Sequence, residues 1–589
     1  MISFMKRTER HLIASYICVH GKDMLRLLAV FAFALLFLLP DIFVPAHAFT
    51  PSAYDLYEAG RTEEAKGLAE ELLKKDPKNH SLRMLYAEIL RKEGKPLEAR
   101  EQVTRAILGG LSNGYAYSTR GYLSLELGDP QGAFEDFEKA LEFDDLSEDA
   151  RENVRLSLVN LSIELNDAGK ALKYLTAHDD PMVFYGVARL VSNTMSGSEL
   201  RRYMDRLSNM AQSDSQRAEV LWALGEYEKA QGNVEAAAKL MSEAMSLYPR
   251  SATQYRLLSL AYLFVNLGED DMAAKLFDEA LFDDCGASPE VLADAAYAFK
   301  GAGNNRKSMH YFTRSIEAYR KRGENDEETK GWIYSLRREN SSLERRWGMY
   351  TSYFYQENGY PGYILGRTVS GGETQQMWQE IYYQMINDNG RQLSMYVSYG
   401  LTLTAENDNE GWDTGMYVLG IRYKPIGDTN LNIALERHWK QDEPNDWQVR
   451  MGYSWDRGSD LNVTDPSWDY LFYYGEVAHL LDEGRTFGVV ECRAGRSTRL
   501  GGQKGKTVFT PHLFFRGDYD SDPLSFEGID SSDEEWALSI GPGLMWRIWY
   551  REDDYHAPRS YIDIILQYRF KLSDADRAEG LSIRITNAF

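Results

Sequence analysis

"DWQVRMGYSWDRG", residues 446–458, decides how the second half of this chain folds. Successive side chains of a strand point to opposite faces. Trp447, Val449, Met451, Tyr453 and Trp455 therefore share one face, and Gln448, Arg450, Gly452, Ser454 and Asp456 the other. Just upstream, "TNLNIALERHW" sets Leu431, Ile433, Leu435 and Trp439 against Asn430, Asn432, Glu436 and His438. "QLSMYVSYGLTL", "WALSIGPGLMWRIWY" and "SYIDIILQYRF" alternate in the same way. Strands of about ten residues with one apolar face, aromatics near their ends and polar side chains opposite describe a transmembrane antiparallel β-barrel. A soluble sandwich also alternates, but its apolar face is the interior one and it has less use for Trp and Tyr at strand ends.

Ten of the twelve tryptophans lie at or beyond Trp347, which places the barrel at 345–589. About thirteen strand-like segments can be marked there. Because an even number is the rule, roughly 12 to 16 strands are expected. The closing segment "GLSIRITNAF" puts Leu581, Ile583, Ile585, Asn587 and Phe589 on one face, and it should pair with the first strand so that no edge lies open in lipid. Its terminal aromatic looks like the C-terminal signal of bacterial outer-membrane barrels. A charge facing mid-bilayer costs roughly 2 to 4 kcal/mol, so Glu436, Arg450, Arg547, Asp563, Gln567, Arg569 and Arg584 are expected to face the lumen. There they are candidates for contact with a glycan, for hydrating a channel, or for plugging it with ion pairs.

The first half has a different period. Ala53, Gly60, Ala65 and Leu72 recur as Ala87, Gly94, Ala99 and Ala106 and again as Gly121, Gly128, Ala133 and Ala140, each set 34 residues after the last. Later copies run through Gly225, Gly232, Ala237 and Ala244, then Ala261, Gly268, Ala273 and Phe277, then Ala296, Gly303 and Phe312. Small residues let paired helices approach closely, and glycine permits the turn between them. These residues resemble the tetratricopeptide family. The resemblance implies an α-solenoid with a concave surface for protein partners. Six clear copies and one or two degenerate ones, near 150–220, are expected within 49–320, followed by a linker over 321–344. Tyr115, Tyr117 and Tyr122 are candidates for the groove, although aromatics at helical spacing commonly pack in the core.

Residues Leu27–Leu39, "LLAVFAFALLFLL", are apolar but end at Pro40 and Asp41, short of the roughly 18 to 20 that a spanning helix needs. With Arg26 before it and "AHA" at 46–48, the segment fits a signal peptide over 1–48 and an exported chain. The long stretch before Arg26 leaves Met24 as a possible true start.

A formal net charge of -23 sets nucleic acid aside as a partner. Three cysteines, Cys18, Cys285 and Cys492, exclude a disulfide scaffold, and Cys285 and Cys492 are expected to be free thiols. "GGQKGKT", 501–507, has three residues between Gly501 and Gly505 where a phosphate loop needs four, and an alternating strand follows, so it is a turn. No local metal, cofactor or catalytic motif stands out; His438 and His479 read as strand residues, and the acidic stretches 405–413 and 520–535 as solvated loops. No enzyme, cofactor or metal is expected.

The tail "GPGLMWRIWYREDDYHAPRSYIDIILQYRF" resembles the C-terminal domain of the bacteriophage adsorption protein A (NfrA-type) family. Gly541, Pro542, Gly543, Ala557–Tyr561, Asp563 and Gln567–Arg569 carry the resemblance. The order of repeats then barrel is also similar to exopolysaccharide-export porins. The resemblance implies a Gram-negative outer-membrane location with the repeats in the periplasm, an inner-membrane glycosyltransferase partner, movement of a surface polysaccharide and use by phage. Family members carry a longer periplasmic region, and the phage role implied by the resemblance depends on the particular extracellular loops. Export of a glycan through the barrel is thus one expected function. An envelope assembly scaffold anchored by a plugged barrel is the alternative.

Overall fold

The computed structural model describes residues 51–589 apart from 250–252, 283–285, 324–325, 360–371, 407–409, 442–443, 503–504 and 523–533. The expected signal peptide, the start at Met24, Cys18, Cys285 and parts of both acidic stretches lie outside the described residues.

The chain separates into two compact units, one ending at Leu175 and one running from Thr176 to Phe589. The first contains four helix pairs: α1 (Ala53–Glu58) with α2 (Thr62–Lys75), α3 (His80–Lys92) with α4 (Pro96–Leu108), α5 (Gly114–Glu126) with α6 (Pro130–Leu141), and α7 (Glu148–Glu164) with α8 (Ala168–Tyr174). The second begins with α9 (Pro181–Thr194) and α10 (Gly197–Met210), followed by three pairs, α11 (Asp214–Ala230) with α12 (Val234–Leu247), α13 (Gln254–Leu267) with α14 (Asp270–Leu281), and α15 (Pro289–Gly301) with α16 (Asn305–Arg322); α9 packs chiefly on α11. A single helix, α17 (Glu327–Glu344), follows.

The repeating glycines do what their spacing predicts. Gly60, Gly94 and Gly128 sit in the turns inside the first three pairs at φ 75°, 76° and 72°. Helix starts follow local chemistry too: Asn113 and Asp129 accept from the backbone N–H of Ala116 and Gly132, each at 2.9 Å, and Pro96, Pro130, Pro181 and Pro289 occupy first turns.

From Trp347 the chain forms β1 (Trp347–Gln356), β2 (Thr374–Asp388), β3 (Arg391–Ala405), β4 (Met416–Lys424), β5 (Asn430–Lys440), β6 (Asp446–Arg457), β7 (Ser467–Leu480), β8 (Thr486–Leu500), β9 (Thr507–Asp520), β10 (Trp536–Tyr550), β11 (Ser560–Lys571) and β12 (Gly580–Ala588). These twelve pair antiparallel in sequence order and close into a barrel through β1 and β12, in register from Tyr350↔Ala588 to Gln356↔Ser582. Phe589 extends the seam, exchanging backbone hydrogen bonds with Met349 at 2.8 and 3.0 Å.

The barrel is inside-out relative to a water-soluble core. Trp447, Val449, Met451, Tyr453 and Trp455 are 37–49 % exposed on the outer wall, whereas Glu436, Glu491 and Asp518 inside are each 2 % exposed. Outward aromatics gather at both strand ends. Trp347 packs on Tyr383 and Phe509 on Trp546 at the end next to α17; Tyr399 packs on Tyr417 and Tyr519 on Trp536 at the far end, with centroids 4.5–5.0 Å apart.

The stretch expected as a linker, 321–344, is instead largely helix α17, and it is fixed to the barrel. Its Leu336 and Leu343 join the core of the preceding helices, while its polar face meets the β10–β11 turn. Thr176–Phe589 therefore forms one unit in which repeats and barrel are packed together.

Candidate functional site: the barrel lumen and its helical cover

Period-two alternation sends the polar members of each strand inward, where carboxylates and guanidinium groups pair. Glu436 accepts from the Tyr396 hydroxyl, from His438 Nε2 at 2.9 Å, from Gln448 Nε2 at 3.0 Å and from Arg450 Nη2. Beside it, Arg422 bonds Glu380 at 2.6 Å and stacks over the Tyr396 ring at 4.5 Å.

Across the lumen, Glu491 accepts from Arg493 Nε at 2.6 Å, Arg516 Nη1 at 3.0 Å and Gln567 Nε2 at 3.1 Å. Arg516 also grips Asp518 with Nε and Nη2 at 3.0 and 2.8 Å. Arg547 holds Asp563 with two bonds of 2.6 Å, the planar fork matching both carboxylate oxygens. Arg569 Nη2 bonds Gln356 Oε1 at 2.5 Å.

All seven expected lumen residues face inward. Glu436 and Arg450 meet directly, as do Arg547 and Asp563; Gln567 reaches Glu491, Arg569 reaches Gln356, and Arg584 lines a cavity. The sequence reading missed Glu380, Arg422, Glu491, Arg493, Arg516 and Asp518. The signal was there: Glu491 and Arg493 share the face of Phe487 and Val489 in β8, and Arg516 and Asp518 share one face of β9.

Among the described residues, cavities lie between the networks. One, about 390 Å³, is lined by Tyr470, Phe472, Arg493, Arg547 and Arg584; another, about 320 Å³, by Trp378, Glu380, Arg422 and Arg450. Ser352 and Tyr474 border both.

At the near end the β6–β7 connection, 458–466, turns into the mouth. The Ser459 carbonyl accepts from Arg547 Nη1 at 2.8 Å, and Leu461 packs on Val508, Trp549 and Tyr334 of α17. Burial pushes the Tyr334 phenol well above its ordinary pKa, so it stays neutral there. Helix α17 is bound over this mouth. Arg337 Nη2 reaches Glu552 and the carbonyls of Asp553 and His556 at 3.1, 2.6 and 2.8 Å, and its own carbonyl accepts from the Ala557 N–H at 3.1 Å. Asn340 and Ser341 bond the carbonyls of Tyr555 and Ala557 at 3.2 and 3.0 Å. Asn305 of α16 bonds the Asn387 carbonyl at 2.7 Å, and Arg338 pairs with Asp460 at 3.0 Å.

Burial raises the Glu552 carboxyl, but the hydrogen bonds and charges of Lys506 and Arg337 outweigh it and hold the group below its ordinary value.

Residues 407–585 match the family profile described as bacteriophage N adsorption protein A C-term. The chain carries this adsorption-protein domain. It begins before β4 and ends within β12, so it contains Glu436, Arg450, Glu491, Arg547 and Arg584, while Glu380 and Tyr396 precede it.

Residues 51–116 and 115–145 match tetratricopeptide-repeat profiles, and the N-terminal helices are such repeats. No curated protein matches the chain. Among solved structures, the C-terminal part of a tetratricopeptide repeat-containing protein from Cytophaga hutchinsonii is similar at 13 % identity, 45 % of this chain, 93 % of that one and a TM-score of 0.27. PilF of Pseudomonas aeruginosa is similar at 21 % identity, 33 % of this chain, 89 % of that one and a TM-score of 0.21. YrrB, described as a TPR protein with an unusual peptide-binding site, is similar at 17 % identity over 31 % of this chain and 92 % of that one, with a TM-score of 0.24.

Of the three groove candidates in the repeats, Tyr117 stacks on Phe143 at 5.7 Å and Tyr122 meets Phe137 edge-on at 4.8 Å, so both rings are engaged in packing. Tyr115 is half exposed. Cys492 is a free thiol on the outer wall of β8. Among the described residues no group of three His, Cys, Asp or Glu side chains is placed to hold a metal ion, and no helix is long and apolar enough to cross a membrane.

Proposed function

We propose that this protein is a non-enzymatic assembly scaffold of the Gram-negative envelope. The barrel lies in the outer membrane with its apolar wall in lipid, and the repeats stand on the periplasmic side to hold other envelope proteins. The observation that carries this reading is the lumen. Most of its inward charges are paired with one another, its near mouth holds the 458–466 connection, and α17 is bound over that mouth. Such a barrel anchors a platform, and α17 transmits the anchor rigidly to α9–α16.

Purified full-length protein reconstituted into planar bilayers tests this. The scaffold reading expects no sustained open-channel current. A steady conductance that sugars block would overturn it in favour of the second reading, passage of a surface polysaccharide received from an inner-membrane glycosyltransferase. That second reading draws on the adsorption-protein domain and on the lumen cavities. Phage adsorption, which would use the far-end loops, rests on the same domain match.

A further inference from the structure

Helices α15 and α17 bring two open rings to one groove. Glu290, Ala293, Asp294 and Tyr297 of α15 follow one another at i, i+3, i+4 and i+7, and Glu328, Trp332 and Leu336 of α17 at i, i+4 and i+8, so each set shares one helix face. Together with Tyr319 and Arg322 of α16 the two faces line a cavity of about 520 Å³. Leu336 is buried, whereas Trp332 and Tyr297 are 54 % and 41 % exposed. Tyr297 meets Phe312 edge-on at 5.0 Å, and Trp332 has no ring contact or hydrogen bond among the described residues.

The wall is acidic. Its charged residues are four carboxylates, Glu290, Asp294, Asp326 and Glu328, and one cation, Arg322. Glu290 takes that cation through two bonds of 2.8 and 3.0 Å. Asp294 accepts from the Tyr262 hydroxyl at 2.7 Å, and Asp326 from the Thr329 N–H and hydroxyl at 2.9 and 2.8 Å; these donors are neutral and cancel no charge. Glu328 has no partner among the described residues. Cations on neighbouring turns are engaged elsewhere, Lys300 by Glu339, Lys330 by Glu327 and Arg338 by Asp460, and Lys321 is not part of the wall. Asp294, Asp326 and Glu328 thus stand uncompensated beside two rings. Carboxylates and ring faces attract the same cation, and the rings also cover its apolar stem. We propose that this groove docks an extended segment of a partner protein in which lysine or arginine alternates with aromatic or aliphatic side chains. The volume takes a few residues of such a chain and no folded domain. The proposal rests on the scaffold reading, in which the repeats hold other envelope proteins, and names the chemistry of what is held.

Fluorescence anisotropy of dye-labelled synthetic peptides with the detergent-solubilised full-length protein decides it. The probe alternates lysine with tyrosine in a glycine–serine frame; one control replaces each lysine by glutamate, the other each tyrosine by serine. The lysine–tyrosine peptide should bind saturably and at least tenfold more tightly than either control. Trp332→Ala should weaken that binding at least tenfold and Glu328→Gln at least threefold. Because the Glu328 carboxylate has no partner to lose, Glu328→Gln should melt as the parent does, which separates loss of binding from loss of fold. Absence of binding by the lysine–tyrosine peptide, equal binding by its glutamate counterpart, or binding that neither variant weakens would overturn the site. Equal binding by the serine counterpart would overturn the part assigned to the rings. Conductance reads the barrel and anisotropy the groove, so either result can fail while the other holds.

Discussion

Gly121 has no room for a side chain, because a Cβ there would meet the Phe137 ring at 2.7 Å. Gly121→Val should therefore push α5 from α6 and cost about 1–3 kcal/mol, as overpacked cores do. Urea unfolding followed by the helical circular-dichroism signal measures it, and a change below about 0.5 kcal/mol would show that the pair yields freely. The same logic explains what the sequence revealed and what it concealed. Gly60, Gly94 and Gly128 stand out because each turn needs a left-handed residue. In the fourth pair Asn166 takes that conformation, φ 56°, and the pattern broke off there because asparagine tolerates it. Inside the barrel, alternation revealed that Arg450 and Glu436 face inward. It could not reveal that Tyr396, two strands away, shares Glu436, since that depends on how the wall curves around.

Helix α17 shows the limit at the level of the element. Asp326 caps it, accepting from the Thr329 N–H at 2.9 Å, and Leu336 and Leu343 are its buried apolar residues. The stretch is polar, with its apolar positions widely spaced, so it reads as a linker. What fixes it is a turn more than 200 residues further along the chain, which no local pattern announces. The attachment should depend on pH. The Glu552 pKa is depressed in the folded state, so its contribution is fully present above the ordinary carboxylate range and is lost as pH falls through the folded value. Hydrogen exchange of the α17 amides, corrected for intrinsic rates, should show lower protection at pH 3 than at pH 7. In Glu552→Gln that difference should shrink. Protection unchanged from pH 7 to pH 3 would mean that the backbone bonds to Asp553, His556 and Ala557 hold the helix without this carboxylate.

At the scale of the whole molecule, the inside-out distribution of side chains is legible from residues 446–458 alone, because the paired charges and the exposed aromatics occupy alternate positions of one strand. What a sequence does not disclose is what surrounds the outer wall, and a single position can report it. Met451 lies midway along β6 on the outer face and is 49 % exposed. If water bathes that face, Met451→Arg is an ordinary surface change and should alter stability by less than about 0.5 kcal/mol. If hydrocarbon bathes it, the guanidinium must leave water at the bilayer centre, where the cost is about 2–4 kcal/mol. Near a strand end the same side chain reaches the interface, so Trp455→Arg should lose only the aromatic anchor and about 0–1 kcal/mol for the charge. Unfolding of both variants in lipid vesicles therefore has a depth signature, a larger loss at Met451 than at Trp455. Equal small losses at the two positions would place the wall in water and remove the membrane anchor from the scaffold reading.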